Sequence, residues 1–372
     1  MKQLKPVALL AMAGLLGACA GLGQKPALPS LHFIGEQRIV HRQQHAGTTL
    51  GGFSGIDYDA ARGGWAIVTD DRCTRNPARY YDAMLEFDGA AFRAVRMGAV
   101  HYFLDAEGKD FAASSTGCDR VDVESVRFDP IDGSIWYSSE GDRRAGLSPF
   151  VRHAARDGAL LSEMPLPAGF AAHRDAERGS RYNLAFEGMA FAPDGRSLWV
   201  SMEGPLYEDG PIANARRGAV VRMTNFTREG RVLRQFAYPV DAIPVEPAPG
   251  KEAEIGVSEI LALENGELLV LERASVQQDS GLHDNHIRLY ATDSSEASDT
   301  STLPALAGAR YTPSRKRLVL DLNQPGMPRV HNLEGMAWGP RLPNGNATLV
   351  MVSDDNYGKG QVTQLLLFEV RR

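Results

Sequence analysis

One arrangement of apolar and polar residues recurs five times along the chain. In each copy, a short apolar stretch is followed by a turn and by a second apolar stretch rich in Val, Trp and Leu, which ends in an acidic residue. Turn dipeptides such as Asp194-Gly195 and Asn265-Gly266 separate the two stretches, and such pairs between apolar runs are strong hairpin signals. The pattern therefore predicts five equivalent β-hairpins. Their first stretches lie at residues 54–58, 124–128, 187–191, 259–263 and 334–338.

Further strand-like stretches follow each hairpin and bring the total to about four strands per copy. The copies start at residues 55, 124, 187, 259 and 334, so successive starts are 63 to 75 residues apart. This spacing exceeds the ~40–50 residues of a compact propeller blade because loops take up the excess. We predict an all-β chain, folded as one β-propeller of four-stranded blades. An array of β-sandwiches is the alternative, although two similar domains would not give five equivalent hairpins.

The number of blades and the closure of the ring depend on weaker signals. Five hairpins are counted, and a sixth, degenerate blade would fit within residues 90–121 or 290–330. The last copy is one strand short of four. The apolar residues at 31–41 could supply that strand and close the ring.

The N-terminal segment has the features of an export signal. Lys2 and Lys5 precede a short apolar stretch at residues 7–16, which has the length of a signal-peptide core. The following Leu-Gly-Ala-Cys, which ends at Cys19, resembles a bacterial lipobox. The resemblance implies that Cys19 is the lipidated first residue of the mature chain, and a plain signal peptide with an incidental Cys is the alternative.

These features predict three parts of the chain: a signal peptide at residues 1–18, a lipidated tether at 19–30 and a propeller domain at 31–372. Ala20 follows the lipidated position, where Asp is typical of retention at the inner membrane. We therefore expect an exported, lipid-anchored protein at the outer membrane or the periplasmic face of the cell envelope.

Composition narrows the class of function further. The chain has 372 residues, of which 43% are hydrophobic and 23% charged, with a net charge of −6. These values are typical of a globular protein. There is no basic block, so nucleic acid is not an expected partner. No apolar run has the length and flanks of a spanning helix, so we expect membrane contact only through the lipid anchor. The sequence indicates no oligomeric state.

Acidic residues recur at two positions of the hairpins. Because a hairpin runs out and back, the start of its first strand and the end of its second lie at one rim. Both sets should therefore meet at one mouth of the central channel. The residues that open the first strand are Glu124, Glu187, Glu259 and Glu334. Those that close the second strand are Asp70, Glu140, Glu203, Glu272 and Asp354.

Such a mouth needs compensating positive charge, because clustered carboxylates raise one another's pKa. Carboxylate oxygens without thiols suit a hard divalent cation, and we expect Ca²⁺ more than Mg²⁺. Arg72, Arg143 and Arg273 follow closing acids and would bind a small phosphorylated or otherwise anionic substrate. Alternatively, the acids and arginines form salt bridges between neighbouring blades. The predicted metal ligands are Glu124, Glu140, Glu187, Glu203, Glu259, Glu334 and Asp354.

Five segments resemble motifs of the phytase-like family, which is also described as having the esterase-like activity of phytase. They are 186–191 (FEGMAF), 333–338 (LEGMAW), 54–56 (SGI), 138–141 (SSEG) and 353–356 (SDDN). The resemblance covers residues 50–370 and implies an exported β-propeller with phosphoesterase activity. The first copy departs from the pattern, with Gly55 where Glu stands elsewhere. The residues that match the family's motifs are Glu140, Glu187, Glu203, Glu334 and Asp354.

Further residues complete the candidate set. His331 precedes Glu334 and is a candidate proton donor, with a hydrogen-bonded loop His as the alternative. Glu187, Glu334 and His331 are the predicted catalytic residues. Cys73 and Cys118 lie in an exported chain, where disulfides persist. We predict that they form a disulfide, and two separate buried thiols are the alternative.

Three functions remain open at this point. The first is a metal-assisted phosphoesterase. The second is a lactonase-type, metal-dependent hydrolase, and the third is a non-catalytic binding propeller of the cell envelope. A serine hydrolase is disfavoured, since Gly52-Phe53-Ser54-Gly55 falls one residue short of the Gly-x-Ser-x-Gly motif. The fold alone cannot choose among the three.

Overall fold

A computed structural model of the protein describes residues 29–112 and 121–371. The predicted signal peptide, Cys19 and Cys118 lie outside the described residues, so the predicted domain boundaries stay predictions. The described segments contain three short 3₁₀ helices: Arg143–Ala145, Ala168–Phe170 and Tyr207–Asp209. None of the helices described is long and apolar enough to cross a membrane.

The remaining regular structure is β-strand. The chain begins with β1 (Ser30–Ile39) and a small hairpin of β2 (Gln44–His45) and β3 (Thr48–Thr49). Blade 1 consists of β4 (Phe53–Asp59), β5 (Gly64–Thr69), β6 (Arg79–Phe87) and β7 (Phe92–Tyr102). Blade 2 consists of β8 (Val123–Phe128), β9 (Ile135–Ser139), β10 (Phe150–Ala154) and β11 (Leu160–Glu163). Blade 3 consists of β12 (Phe186–Phe191), β13 (Ser197–Met202), β14 (Ala219–Thr227) and β15 (Val232–Val240).

The last two blades complete the ring. Blade 4 consists of β16 (Ala253–Ala262), β17 (Leu268–Gln277), β18 (His283–Asp293) and β19 (Arg315–Asp321). Blade 5 consists of β20 (Asn332–Gly339), β21 (Ala347–Asp354), β22 (Thr363–Arg371) and β1. All pairings within the blades are antiparallel, and the innermost strand of each blade contacts that of the next.

The predicted fold is confirmed: the protein is a β-propeller of five four-stranded blades. Each predicted hairpin forms the two inner strands of one blade. The described parts of the two segments considered for a sixth blade belong to blades 1 and 4, because they contain β7, the end of β18, and β19. The longer spacing between copies is accounted for by loops such as residues 294–314.

The strand predicted to close the ring is also confirmed. β1 pairs antiparallel with β22, from Ser30 beside Arg371 to Ile39 beside Thr363. The outer strand of blade 5 therefore comes from the beginning of the described chain and the next strand from its end. This pairing closes the ring by joining distant parts of the chain, and it covers an edge of β22 that would otherwise be open to other strands.

The hydrophobic core lies between the faces of adjacent blades. Trp65, Trp136 and Trp199 are buried in it. Trp338 is partly buried, and its Nε1 donates a hydrogen bond to the carbonyl of Ala262 in blade 4. The side chains of the inner strands thus join each blade to the next.

Candidate functional site

Each innermost strand contains a β-bulge near its start, and the bulges define which residues are equivalent. The last paired residue before the bulge lies opposite the end of the second strand, as in Phe186 beside Met202. The corresponding pairs in the other blades are Phe53–Thr69, Val123–Ser139, Val257–Glu272 and Leu333–Ser353.

Two rings of side chains follow from this register. The opening ring, one residue after the first member of each pair, is Ser54, Glu124, Glu187, Ser258 and Glu334. The closing ring, one residue after the second member, is Asp70, Glu140, Glu203, Arg273 and Asp354.

The register corrects the prediction for Glu259. Glu259 does not belong to the opening ring, because it stands one residue later, where Gly188 and Gly335 stand in blades 3 and 5. Its Oε1 accepts hydrogen bonds from the backbone N–H groups of Met189 and Ile260, at 3.1 and 2.9 Å. A Cβ on Gly188 would lie 2.7 Å from Oε1 of Glu259, so only glycine leaves room for this carboxylate.

Two further assignments shift by the same single residue. The blade 1 equivalent of Glu187 is Ser54, and Gly55 matches the motif glycine. In blade 4, Arg273 rather than Glu272 occupies the closing ring. Glu272 is buried elsewhere, where its carboxylate accepts hydrogen bonds from the hydroxyl of Tyr238 and the N–H of Asp241.

Arg127 fills the centre of the ring below the two rings of side chains. Its Nη2 forms an ion pair with Oε2 of Glu259 at 2.8 Å, and both side chains are buried. The guanidinium also donates hydrogen bonds to one carbonyl from each of the five innermost strands, which belong to Ile56, Val126, Met189, Ile260 and Met336. The side chain therefore obstructs the channel at its centre.

The mouth is a cavity of about 330 Å³ whose carboxylates form a continuous arc. The arc consists of three groups, within each of which one carboxylate oxygen per residue lies within 4.8 Å of the others. Asp70 and Glu124 each belong to two of the groups and connect them. The groups are Glu334–Asp354–Asp70, Asp70–Asp122–Glu124 and Glu124–Glu140–Glu187.

Burial and mutual repulsion raise the pKa values of these acids. Burial is the largest cause of the raised pKa in each of these residues. The pKa of Glu124 lies well above its ordinary value, since the charges of Glu187, Asp122 and Asp70 add to the effect of burial. Burial raises the pKa of Glu140 to about 8, and it raises that of Glu334 to about 7 even though Arg273 lowers it. The pKa values of Asp70, Glu187, Glu203 and Asp354 also lie well above the ordinary range.

Of the three predicted substrate-binding arginines, Arg72 and Arg273 line the cavity. Nη2 of Arg273 lies 3.1 Å from Glu203 and 3.7 Å from Glu334, and Nη1 lies 3.2 Å from Glu254. Arg273 thus connects the blade 3 and blade 5 ends of the arc, as the salt-bridge alternative anticipated.

Arg143 is directed elsewhere. Its Nη2 donates a hydrogen bond to the carbonyl of Ala176, and its guanidinium lies 5.0 Å from the ring centre of Tyr207. It is not among the residues that line the cavity.

The family model described as "Phytase-like: Esterase-like activity of phytase" matches residues 48–357. The chain belongs to the phytase-like family. The match runs from β3 to the loop after β21, so it covers blades 1 to 4, the two inner strands of blade 5 and every carboxylate of the arc.

Other relatives of this phytase-like chain are more distant. An uncharacterised secreted protein of Arthroderma benhamiae is 26% identical over 199 residues, which cover 45% of this chain and 37% of that protein. The matched part is thus well under half of that relative.

Matches to solved structures are distant. The catalytic domain of a GH62 α-L-arabinofuranosidase from Coprinopsis cinerea covers 92% of this chain and 96% of its own, at 10% identity and a TM-score of 0.42. A putative glucose dehydrogenase of Thermus thermophilus covers 91% of this chain and 100% of its own, at 13% identity and a TM-score of 0.37.

His331 lines the phytase-like mouth beside Arg329 and Asn332. Burial, together with the charges of Arg38 and Arg329, lowers the pKa of His331 below its ordinary value. This favours the neutral imidazole, which accepts a proton more readily than it donates one. The backbone N–H of His331 donates a hydrogen bond to Gln364, so the residue is also held as a structural loop histidine.

Sequence reasoning missed Asp122, which lies two residues before Glu124 and belongs to the central group of the arc. It also missed Asn332, whose Nδ2 donates a hydrogen bond to Glu334 at 2.7 Å, and Glu254, which pairs with Arg273. Asp122 and Asn332 occupy equivalent positions in blades 2 and 5, but the other three blades have Gly or Ala there, and the acid Glu254 has no counterpart at its position in the described parts of the other blades. The repeat pattern therefore gave no signal for them, although an acid two residues from a predicted ligand was a local hint.

The donor set fits a hard divalent cation. All ligand atoms in the three groups are carboxylate oxygens, and this is the chemistry that Ca²⁺ and Mg²⁺ prefer. Within the described residues, no group donates a hydrogen bond to the side chains of Asp70 or Glu187. Oδ1 of Asp122 is likewise buried without a hydrogen-bond partner. Buried carboxylates in this state are costly unless a proton or a cation compensates them.

Cys73 is buried in blade 1 and is disulfide-bonded. Its predicted partner, Cys118, lies outside the described residues, so the proposed pairing stays a prediction.

Proposed function

We propose that this phytase-like protein hydrolyses phosphate esters at the acidic mouth, in a reaction that depends on a divalent cation. One observation carries the proposal: four members of a continuous arc of seven carboxylates, Asp70, Glu124, Glu187 and Glu334, line one cavity together with Arg72 and Arg273. An arc of this kind would hold cations, and cations beside arginines would attract a phosphate group. The family description, which names the esterase-like activity of phytase, supports the same chemistry.

The carboxylates of the arc would hold the cation, and Ca²⁺ fits them better than Mg²⁺. Ca²⁺ accepts several carboxylates at variable geometry, whereas Mg²⁺ requires a near-ideal octahedron and retains more water. A divalent cation at this position would polarise the phosphoryl group and neutralise its charge. Glu187 and Glu334, at opposite ends of the arc, would hold the reacting group from two sides.

Arg72 is better placed than Arg273 to contact the substrate phosphate. The Nε of Arg72 pairs with the carboxylate of Asp122, whereas its Nη1 and Nη2 groups donate hydrogen bonds to neutral partners, the hydroxyl of Tyr182 and the side-chain carbonyl of Asn183. Arg273 is close to three glutamates, so much of its charge is already compensated. His331 lies at the rim of the same cavity, where burial and the charges of Arg38 and Arg329 lower its pKa and favour the neutral imidazole, the form in which a histidine can act as a base.

Export and lipid anchoring are part of the proposal. The Arthroderma relative is described as secreted, which supports export of this chain. The lipobox ending at Cys19 supports attachment to the cell envelope, at the outer membrane or its periplasmic face. The substrate would then be a phosphorylated small molecule outside the cytoplasm.

A substrate panel with matched variants tests the reaction. The mature protein is incubated with phosphate monoesters, a phosphodiester and lactones, first with a chelator and then with added Ca²⁺. We expect phosphate release that the chelator abolishes and Ca²⁺ restores. Glu187→Gln should lose it, whereas Glu163→Gln, the same change on the outer strand β11, should not.

Other outcomes would replace the proposal. Hydrolysis of lactones alone, with the same dependence on Ca²⁺ and Glu187, would identify a lactonase. No hydrolysis of either class, together with no effect of Ca²⁺ on the protein, would favour a non-catalytic binding propeller.

A further inference from the structure

Asp122 combines a fixed orientation with an unused oxygen. Its side chain is 3% exposed, and Oδ2 forms an ion pair with Nε of Arg72 at 2.7 Å. Oδ1 is buried and receives no N–H or hydroxyl hydrogen bond from the described residues, and the carboxyl group of Glu124 lies within hydrogen-bonding reach of the Asp122 side chain. Arg72 thus holds one oxygen of the carboxylate and leaves the other free. A buried carboxylate oxygen without a donor is unusual, because its desolvation is not repaid.

Arg72 is itself held firmly in place. It lies at the centre of a turn in which the N–H of Thr74 donates a hydrogen bond to the carbonyl of Asp71, at 2.9 Å. Both central residues, Arg72 and Cys73, have positive φ angles of 50° and 52°, as in a type I′ turn. The contacts of its guanidinium with Tyr182 in the approach to blade 3 fix the far end of the side chain.

Two more carboxylates lie beside that of Asp122. Asp70, at the end of β5, and Glu124, at the start of β8, each bring a carboxylate oxygen to within 4.8 Å of Asp122 and of each other. Within the described chain, no N–H group or hydroxyl donates a hydrogen bond to the side chain of Asp70 or Glu124. The three acids carry three negative charges against the one positive charge of Arg72, so a single divalent cation would make the group neutral.

The other two groups of the arc are better satisfied by the protein. Glu334 accepts a hydrogen bond from Asn332, and Asp354 accepts one from the N–H of Asn356. Glu140 accepts a hydrogen bond of 2.6 Å from the N–H of Ala185. These donors already stabilise part of the negative charge and reduce the need for a cation there.

We propose that Asp70, Asp122 and Glu124 form the principal cation site of the mouth and that Asp122 contributes its free oxygen as a ligand. The cation class is a hard divalent ion such as Ca²⁺, with solvent completing the coordination. The inference rests on the proposed function only in taking the mouth as a cation site, and it is independent of which ester is hydrolysed. Arg72 then has two roles. Its Nε holds Asp122 in place, and its guanidinium lies at the cavity, where it would contact the substrate phosphate.

Calorimetric titration of the mature protein with Ca²⁺, without substrate, tests the site. Asp122→Asn keeps the shape of the side chain and removes its charge, and we expect Ca²⁺ affinity to fall by at least about tenfold. Glu187→Gln should weaken binding less, because Glu187 lies outside the proposed group. Asp321→Asn is the matched control, since Asp321 lies on the outer strand of blade 4 and pairs with Arg288. This variant should bind Ca²⁺ as the unmodified protein does. Melting curves establish that each variant is folded.

Two results would overturn the inference. One is unchanged Ca²⁺ affinity in folded Asp122→Asn, and the other is a larger loss in Glu187→Gln, which would move the site to Glu124–Glu140–Glu187. Failure of the proposed function is distinguishable from both. If no phosphate ester is hydrolysed but Ca²⁺ binding still depends on Asp122, the cation site stands and the reaction is wrong.

Discussion

Arg127 and Glu259 form a buried ion pair at the centre of the propeller, with 2.8 Å between Nη2 and Oε2. The two residues come from blades 2 and 4, which are not neighbours in the ring. The same guanidinium donates hydrogen bonds to carbonyls of all five innermost strands. One side chain therefore satisfies backbone groups that the narrow channel shields from water, and it ties the five blades together at their axis.

The first prediction concerns this pair. Arg127→Met should lower the free energy of unfolding by about 3–5 kcal/mol, because it leaves the Glu259 charge and several buried carbonyls without a partner. Glu259→Gln should cost less, since Gln can still accept the hydrogen bonds of Met189 and Ile260. Urea denaturation of the mature protein measures both. Arg317→Met is the control, because Arg317 lies on the outer strand β19 and pairs with Glu267. This substitution should lower the free energy of unfolding by less than about 1 kcal/mol. An equal cost for Arg127→Met and Arg317→Met would contradict the central role of Arg127.

The second prediction is a pH dependence that originates from Asp57, whose Oδ2 accepts a hydrogen bond from the N–H of Phe128 at 2.7 Å. Burial raises the pKa of Asp57 from 3.8 to about 6, although Arg127 lowers it. The folded state therefore binds the proton more tightly than the unfolded state, and this residue lowers stability as the pH rises from about 4 to 6.

Asp57→Asn should remove that effect. The free energy of unfolding of the variant, relative to that of the unmodified protein, should rise by at most about 3 kcal/mol between pH 4 and pH 6. Above pH 6 the difference should stay constant. Urea midpoints of both proteins at a series of pH values measure the difference. A difference that does not vary with pH would show that Asp57 has an ordinary pKa in the folded protein.

The third prediction concerns the balance of charge at the mouth. The charges of Glu203, Glu140 and Glu334 add to burial in raising the pKa of Glu187. Glu187→Gln should therefore leave the cation-free protein as stable or slightly more stable, and it should reduce the rise in melting temperature that Ca²⁺ produces. A residue that acted only in a salt bridge would behave in the opposite way. Equal rises with Ca²⁺ in the unmodified protein and in Glu187→Gln would refute the assignment of Glu187 to the cation-binding arc.

The fourth prediction concerns the anchor. Cys19→Ala should abolish incorporation of a labelled fatty acid and release the protein from the membrane fraction. The lipobox interpretation would be wrong if the unmodified protein could be washed from membranes as readily as the variant.

The fifth prediction concerns the disulfide. Digestion of the non-reduced protein should yield one linked pair of peptides that contains Cys73 and Cys118, and reduction should separate them. Alkylation of Cys118 without a reductant would exclude this pairing.

The sequence by itself determined the architecture, because the signals for it are local. Alternating apolar residues and turn dipeptides such as Asn265-Gly266 define each hairpin within some 20 residues. Five copies of the same hairpin can satisfy their edges only by closing into a ring, and this led to the prediction that the strand at residues 31–41 completes blade 5. The convergence of Glu187 and Glu334 on one mouth followed from the same geometry, because equivalent positions in a ring face one axis.

Only the tertiary structure decided the identity of individual side chains at the axis. The β-bulge near the start of each innermost strand has no signature in the pattern. The register around the bulge, which places Glu259 at the centre and Ser54 in the opening ring, is therefore visible only in the structure. Asp122 and Arg127 occur in a single blade, so no repeat marked them. Their partners lie up to 209 residues away along the chain. Contacts of this kind exist only once the ring has closed, because closure brings five strands from different parts of the chain within hydrogen-bonding distance of one guanidinium.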